Sequence, residues 1–233
     1  KEKEIDHTKI DKKAEGESKL FSLAAQQRMN TSVRKSVFCI IMGASDFEDA
    51  FERLTRLELS GKQDREIMKV LVDCCGQEKA YNPYYALLAE RFCEYESKYK
   101  FTLQLTFWDV FKQLETTSAR RSANLARLLA HLIIKNRISI GILKVIEAEK
   151  LSSSGILFHK VLFYTIINDT DNETFVSVFK RVGHGAVENS FVCSTIAVLL
   201  NKFSVKMNDD WPDDKKKAYR KRLKIATKML DGF

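Results

Sequence analysis

Proline and glycine are scarce in this sequence, two and nine respectively among 233 residues. An all-β fold needs a turn every few residues, so the scarcity argues for long helices with short links. No apolar run approaches the ~18 residues of a membrane span, and the first residues, KEKEID, are charged where a secretory signal would be apolar. A soluble chain with no membrane association is expected. The five cysteines (Cys39, Cys74, Cys75, Cys93 and Cys193) are odd in number, lack any C-x-x-C spacing and sit among apolar neighbours. That pattern offers neither a disulfide framework nor a zinc site, and suits small hydrophobes in a reducing compartment.

Signs of catalysis are also missing. Of the four histidines, His131 (ARLLAHLIIK) and His159 (LFHKVLF) lie on apolar helical patterns, where a hydrogen-bonded core histidine is the plain reading, His184 lies in the turn VGHGA and His7 in a charged tract. There is no H-x-x-x-H, no G-x-G-x-x-G and no Walker A sequence. Acid, base and nucleophile do not converge in one motif. No catalytic residue, metal site, cofactor or small-molecule substrate is therefore expected. Asn30-Thr31-Ser32, Asn168-Asp169-Thr170 and Asn172-Glu173-Thr174 fit the glycosylation pattern but read better as caps and turns.

What is present is helical. With 45% hydrophobic and 30% charged residues, the chain can bury a core beneath a wet surface. Lys1 to Lys19 holds six basic and six acidic residues but only two large apolar ones, Ile5 and Ile10, so alone it should be a disordered linker. The sequence does not begin with methionine, and a fragment of a longer protein is expected. From Asn30 onward the pattern gives a cap at Asn30-Thr31 and a capping box with Ser45 as cap and Glu48 reaching back. Helices are then expected over 47–57, 64–75, 83–99, 106–114, 118–135, 140–149, 156–167, 173–182, 188–203 and 212–230. The segment FTLQLTF (101–107) alternates like a strand but has no partner strand, and reads as a link. Roughly ten helices, each with one apolar face, fit an all-α array of stacked antiparallel helix pairs of the HEAT type, an α-solenoid.

Two charged features stand out. Asp46, Glu48, Asp49 and Glu52 crowd one helix start. They either complement the helix dipole or form an acidic patch for a basic partner. Residues 201–233 carry ten basic and five acidic side chains, so more than half of the net +8 lies in the last seventh of the chain. Lys215, Lys216, Lys217, Arg220, Lys221, Arg222, Lys224 and Lys228 line the final helix, while Tyr219, Leu223, Ala226, Met229 and Leu230 keep an apolar seam. Such a helix can dock by one side and offer the other to RNA phosphates or a protein partner; a merely solvated face or a nuclear-targeting tract is the alternative.

The stretches MNTSVRKSVFCIIMGASDFEDAFERL, REIMKVLVDCCGQEKAYNPYYALLAERFCEYE and TFWDVFKQLE resemble the MA-three (MI) domain of nucleolar MIF-4G-domain proteins. LFSLAAQQRMNT before them looks like that family's link between its two domains, and SANLARLLAHLIIKNRISIGILKVIE and KIATKMLDGF after them resemble the same family more loosely. The resemblance implies a linker over 1–28, an MA-three domain over 29–149 and a helical extension over 150–233 ending in the basic helix. It implies a nuclear, nucleolar, non-catalytic scaffold that engages a DEAD-box RNA helicase of the initiation-factor-4A type. Pre-ribosomal assembly factors, and pre-rRNA itself, would be further partners during small-subunit (18S) rRNA maturation. In related domains acidic residues near helix starts meet the helicase, and the matching positions here are Asp46 to Glu52. A spliceosomal scaffold of the same architecture shares the DCC and LLAxRFC pieces. The V-x-F motif by which some members dock a protein phosphatase is not expected in this piece.

Overall fold

The computed structural model describes Ser22 and residues 31–59, 61–183, 188–203 and 211–231. Apart from Ser22, the expected linker 1–28 lies outside the described residues, as do Asn30 and His184. The described residues form ten α-helices and three 3-10 helices, with no strand among them. They fall into two compact units, one ending at Cys74 and the other starting at Cys75.

In the first unit α1 spans Ser32–Gly43, capped by the Thr31 hydroxyl, which accepts from the Arg34 amide at 3.2 Å. Helix α2 spans Phe47–Thr55 and α3 begins the range Asp64–Gln77, which runs past the unit boundary. Gly61 holds a left-handed φ of +59° in the turn before α3, a conformation costly to any residue with a Cβ. Buried Val37, Phe38 and Ile41 of α1 and Ala50, Phe51 and Leu54 of α2 form part of the core. Ile67, Val70, Leu71 and Cys74, the apolar face read from the sequence, are buried on α3. Arg34 ties α1 to α3 through Glu66 at 2.7 Å and Asp73 at 2.9 Å.

In the second unit α4 (Tyr84–Tyr95) opens with Asn82 Oδ1 accepting from the Tyr84 amide at 3.0 Å. It stops four residues before the expected end, because Glu96 is extended at φ −147° and ψ 139°. Helix α5 (Ser97–Gln113) follows at once and contains the whole of FTLQLTF, correcting the expected link there. Its buried positions, Tyr99, Thr102, Leu103, Phe107 and Val110, recur with helical spacing. Then come α6 (Ala119–Ile134), α7 (Ser153–Asn168), α8 (Asn172–Gly183), α9 (Glu188–Phe203) and α10 (Asp213–Asp231). Residues 140–149, expected as one helix, instead form two short 3-10 turns, Ile140–Val145 and Ala148–Lys150.

Within this unit α4 packs against α5 and α6 against α7, while α10 packs against both α8 and α9 and α9 also against the Ile140–Val145 turn. Stacked helix pairs of the HEAT type pack in this way, since each buries its apolar face against the next. Polar ties fix the layers. The Trp108 indole donates to the Ile142 carbonyl at 3.1 Å, and Lys202 donates to the Ala148 carbonyl at 3.1 Å. Asn124, buried on α6, donates to the Glu78 carbonyl at 2.9 Å and the Cys75 carbonyl at 3.3 Å, groups at and just past the C-terminal end of Asp64–Gln77, where a helix runs out of its own donors.

Candidate functional site

The acidic helix start is built by its own carboxylates. Asp46, not Ser45, is the N-cap: its Oδ1 accepts from the Asp49 amide at 2.8 Å. Asp49 reaches back and accepts from the Ser45 amide at 2.9 Å. The capping box is therefore shifted by one residue from the sequence reading, with Asp49 in the role given to Glu48. The hydrogen bond from Ser45 holds the Asp49 carboxyl below its ordinary pKa, helped by Arg53 at 3.5 Å. Glu52 pairs with Arg56 at 3.2 Å across one helical turn. Asp46, Glu48 and Glu52 are exposed and Asp49 half-buried. Two of the four carboxylates thus build the helix start, while Glu48 and Glu52 present charge outward.

The basic helix divides likewise. Arg222 turns inward, donating to Asn172 Oδ1 at 3.0 Å and to the Ile167 carbonyl, with its guanidinium 5.5 Å from the Phe175 ring centre. Lys215 lies 4.4 Å from the Trp211 ring centre and donates to the Tyr164 hydroxyl at 3.3 Å. Lys216 is half-buried, 3.9 Å from Asp213. Lys217, Arg220, Lys221, Lys224 and Lys228 are exposed. Tyr219, Ala226 and Leu230 of the apolar seam are buried, as the sequence suggests. Sequence reasoning missed Tyr164, Asn168, Asn172 and Phe175, which line a cavity of about 620 Å³ beside the helix. They lie some fifty residues away in sequence, so no local pattern marks them; only Trp211, one turn before Lys215, carried a local signal.

His159 is fully buried on α7, its Nδ1 donating to the Gly155 carbonyl at 2.7 Å, and burial lowers its pKa to about 4. It is a neutral core group. His131 is half-buried and bonded to Glu90 at 2.7 Å, and Arg137 reaches the same carboxylate at 3.3 Å. Burial pushes the Cys75 and Cys93 thiols up to about 12, so both stay protonated hydrophobes. Among the described residues no group of His, Cys, Asp and Glu is placed to hold a metal ion, and no helix is long and apolar enough to cross a membrane. One V-x-F spacing does occur, Val161-Leu162-Phe163, contrary to expectation. It lies inside α7 with Leu162 and Phe163 buried, where it cannot dock in extended form.

Residues 33–139 match the MA3 domain family. The chain is 38% identical over 229 residues, 97% of its length, to the human protein "Nucleolar MIF4G domain-containing protein 1". It is 31% identical over 93% of its length to "Suppressor of glycerol defect protein 1" of Schizosaccharomyces pombe. It is 31% identical over 57% of its length to "Pre-mRNA-splicing factor CWC22" of Mycosarcoma maydis. The chain spans about a quarter of the length of the first two relatives, 26% and 28%. Residues 33–139 thus form an MA3 domain, and the chain is homologous over most of its length to nucleolar MIF4G domain-containing proteins.

Proposed function

We propose that this chain is a non-catalytic scaffold module of a nucleolar ribosome-biogenesis factor. The observation that carries the reading is the 97% of the chain aligned with a protein named nucleolar, far more than the MA3 match over 33–139. We further propose that the exposed carboxylates at the start of α2 engage a DEAD-box RNA helicase of the 4A type. The wider chain would meet assembly factors and pre-rRNA during small-subunit maturation. Opposite charge across such a contact mainly sets on-rate and register.

The test is affinity capture of the tagged chain from nuclear extract, compared with a Glu48→Lys/Glu52→Lys variant. These two positions are exposed and, unlike Asp46 and Asp49, do not cap the helix, so the fold should survive their reversal. Recovery of a 4A-type helicase and small-subunit precursors, with the helicase lost from the variant, is expected. Unchanged helicase recovery by the folded variant removes the acidic-patch assignment. The second reading is a spliceosomal scaffold, favoured by the match to the splicing factor over 57% of the chain. Capture of splicing factors in place of ribosomal precursors would establish it.

A further inference from the structure

We infer that the exposed face of α10 tracks the backbone of single-stranded RNA, with one unstacked base entering the adjoining cavity between α7, α8 and α10. This surface uses none of residues 46–52, so it stands or falls apart from the helicase contact.

The first observation is what remains once the structural cations are set aside. Lys217, Arg220, Lys221, Lys224 and Lys228 have no hydrogen-bond or ion-pair partner among the described residues, and no acidic side chain occurs from Lys215 to Lys228. Lys217, Lys221, Lys224 and Lys228 follow one another at four, three and four residues, so they share one helix face. With ~1.5 Å of rise per residue they stand about 4.5 to 6 Å apart along the axis. That even ladder of like charge suits a regularly charged polyanion. A folded protein partner fits it poorly, because protein interfaces are depleted in lysine and centred on apolar anchors. This face offers only half-buried Leu223, in a shallow depression of about 530 Å³ with Lys217, Arg220, Lys221 and Lys224.

The second observation favours a single strand over a duplex. Lys221 borders both that depression and the cavity of about 620 Å³ lined by Tyr164, Asn168, Asn172, Phe175 and Arg222. Asn168 spends one amide hydrogen on the Tyr164 carbonyl at 3.0 Å and keeps its Oδ1 as an acceptor. Asn172 accepts from Arg222 through Oδ1, which leaves its Nδ2 as a donor. A donor and an acceptor beside the half-buried Tyr164 ring are the elements by which proteins hold unstacked bases, and paired bases cannot reach them.

The test is fluorescence anisotropy of the whole chain with a labelled single-stranded RNA of about 12 nucleotides, and with the same strand annealed to its complement. The single strand should bind more tightly. Its affinity should fall with salt at a log–log slope of about −3 to −4, for some five phosphate contacts. A Lys217→Glu/Lys221→Glu/Lys224→Glu variant with unchanged helical circular dichroism should lose about 100-fold or more. Asn168→Ala, which removes the acceptor without adding charge, should lose about ten-fold on the single strand and change duplex binding little. Wild-type affinity in the triple variant, or no RNA binding at low salt, overturns the ladder, and an acidic peptide bound in place of RNA would point to a protein partner. Equal affinity for the duplex, or normal single-strand binding by Asn168→Ala, overturns the inserted base.

Discussion

Arg222 and Asn172 form a forked contact in which Nε and Nη2 of the guanidinium donate to one side-chain oxygen, at 3.3 and 3.0 Å. The third nitrogen closes on the Ile167 carbonyl in the last turn of α7, so one side chain joins three helices. Arg222→Ala should therefore destabilise the chain by about 2 kcal/mol in urea unfolding. Arg222→Lys should restore little, since an ammonium cannot span both acceptors. A loss below about 0.5 kcal/mol would mean the fork is not maintained in solution.

His159 gives the chain an acid sensitivity. Its folded pKa, about 4, lies below the ordinary 6.5 because burial disfavours the charged ring. The unfolded chain therefore binds a proton that the folded one refuses. The stability this residue permits is complete above pH 6.5 and is lost as pH falls toward 4. The full effect is about 3 kcal/mol. His159→Phe, set among the rings of Phe111, Phe158 and Phe203, should flatten that part of the stability profile. Equal slopes for the two proteins between pH 6.5 and 4 would refute the assignment.

The shifted capping box separates two neighbouring residues. Asp46→Ala removes the oxygen that accepts from the Asp49 amide and should cost about 1 kcal/mol, whereas Ser45→Ala should cost a few tenths. Thermal melts of both variants decide it; the reverse order would restore Ser45 as the cap.

Gly61 at φ +59° meets nothing within 4 Å of where a Cβ would stand, so any penalty for a side chain there comes from the backbone alone. Gly61→Ala should cost about 1 kcal/mol and Gly61→Asn less, because asparagine tolerates the left-handed region. Equal melting temperatures for both and the wild type would show that the turn relaxes freely.

The sequence made most helices legible because their buried positions are aliphatic and repeat at three and four residues, as Ile67, Val70, Leu71 and Cys74 do. It hid the middle of α5, where a polar residue occupies the buried stripe. Thr102 is nearly fully buried and satisfies its hydroxyl on the Lys98 carbonyl at 2.9 Å, while Phe101 beside it is 55% exposed. Apolar and polar positions thus alternate along a segment that is helical throughout. Residues 140–149 misled in the opposite way: Ile140, Ile142 and Leu143 supply apolar density, but their short turns are shaped by Trp108 bonding the Ile142 carbonyl, a contact remote in sequence. At the candidate surfaces the charges were visible and their duties were not. Which lysine or arginine is spent on structure depends on Asn172, Ile167 and Tyr164, and nothing local to α10 names them.

The Asn124 amide reaches carbonyl groups 46 and 49 residues earlier in the chain. A ribosome making this protein releases residues 75–78 well before the side chain that finishes them, so until then water must serve those carbonyls. Truncation before residue 124 has the same consequence: the piece lacks the side chain that meets both carbonyls.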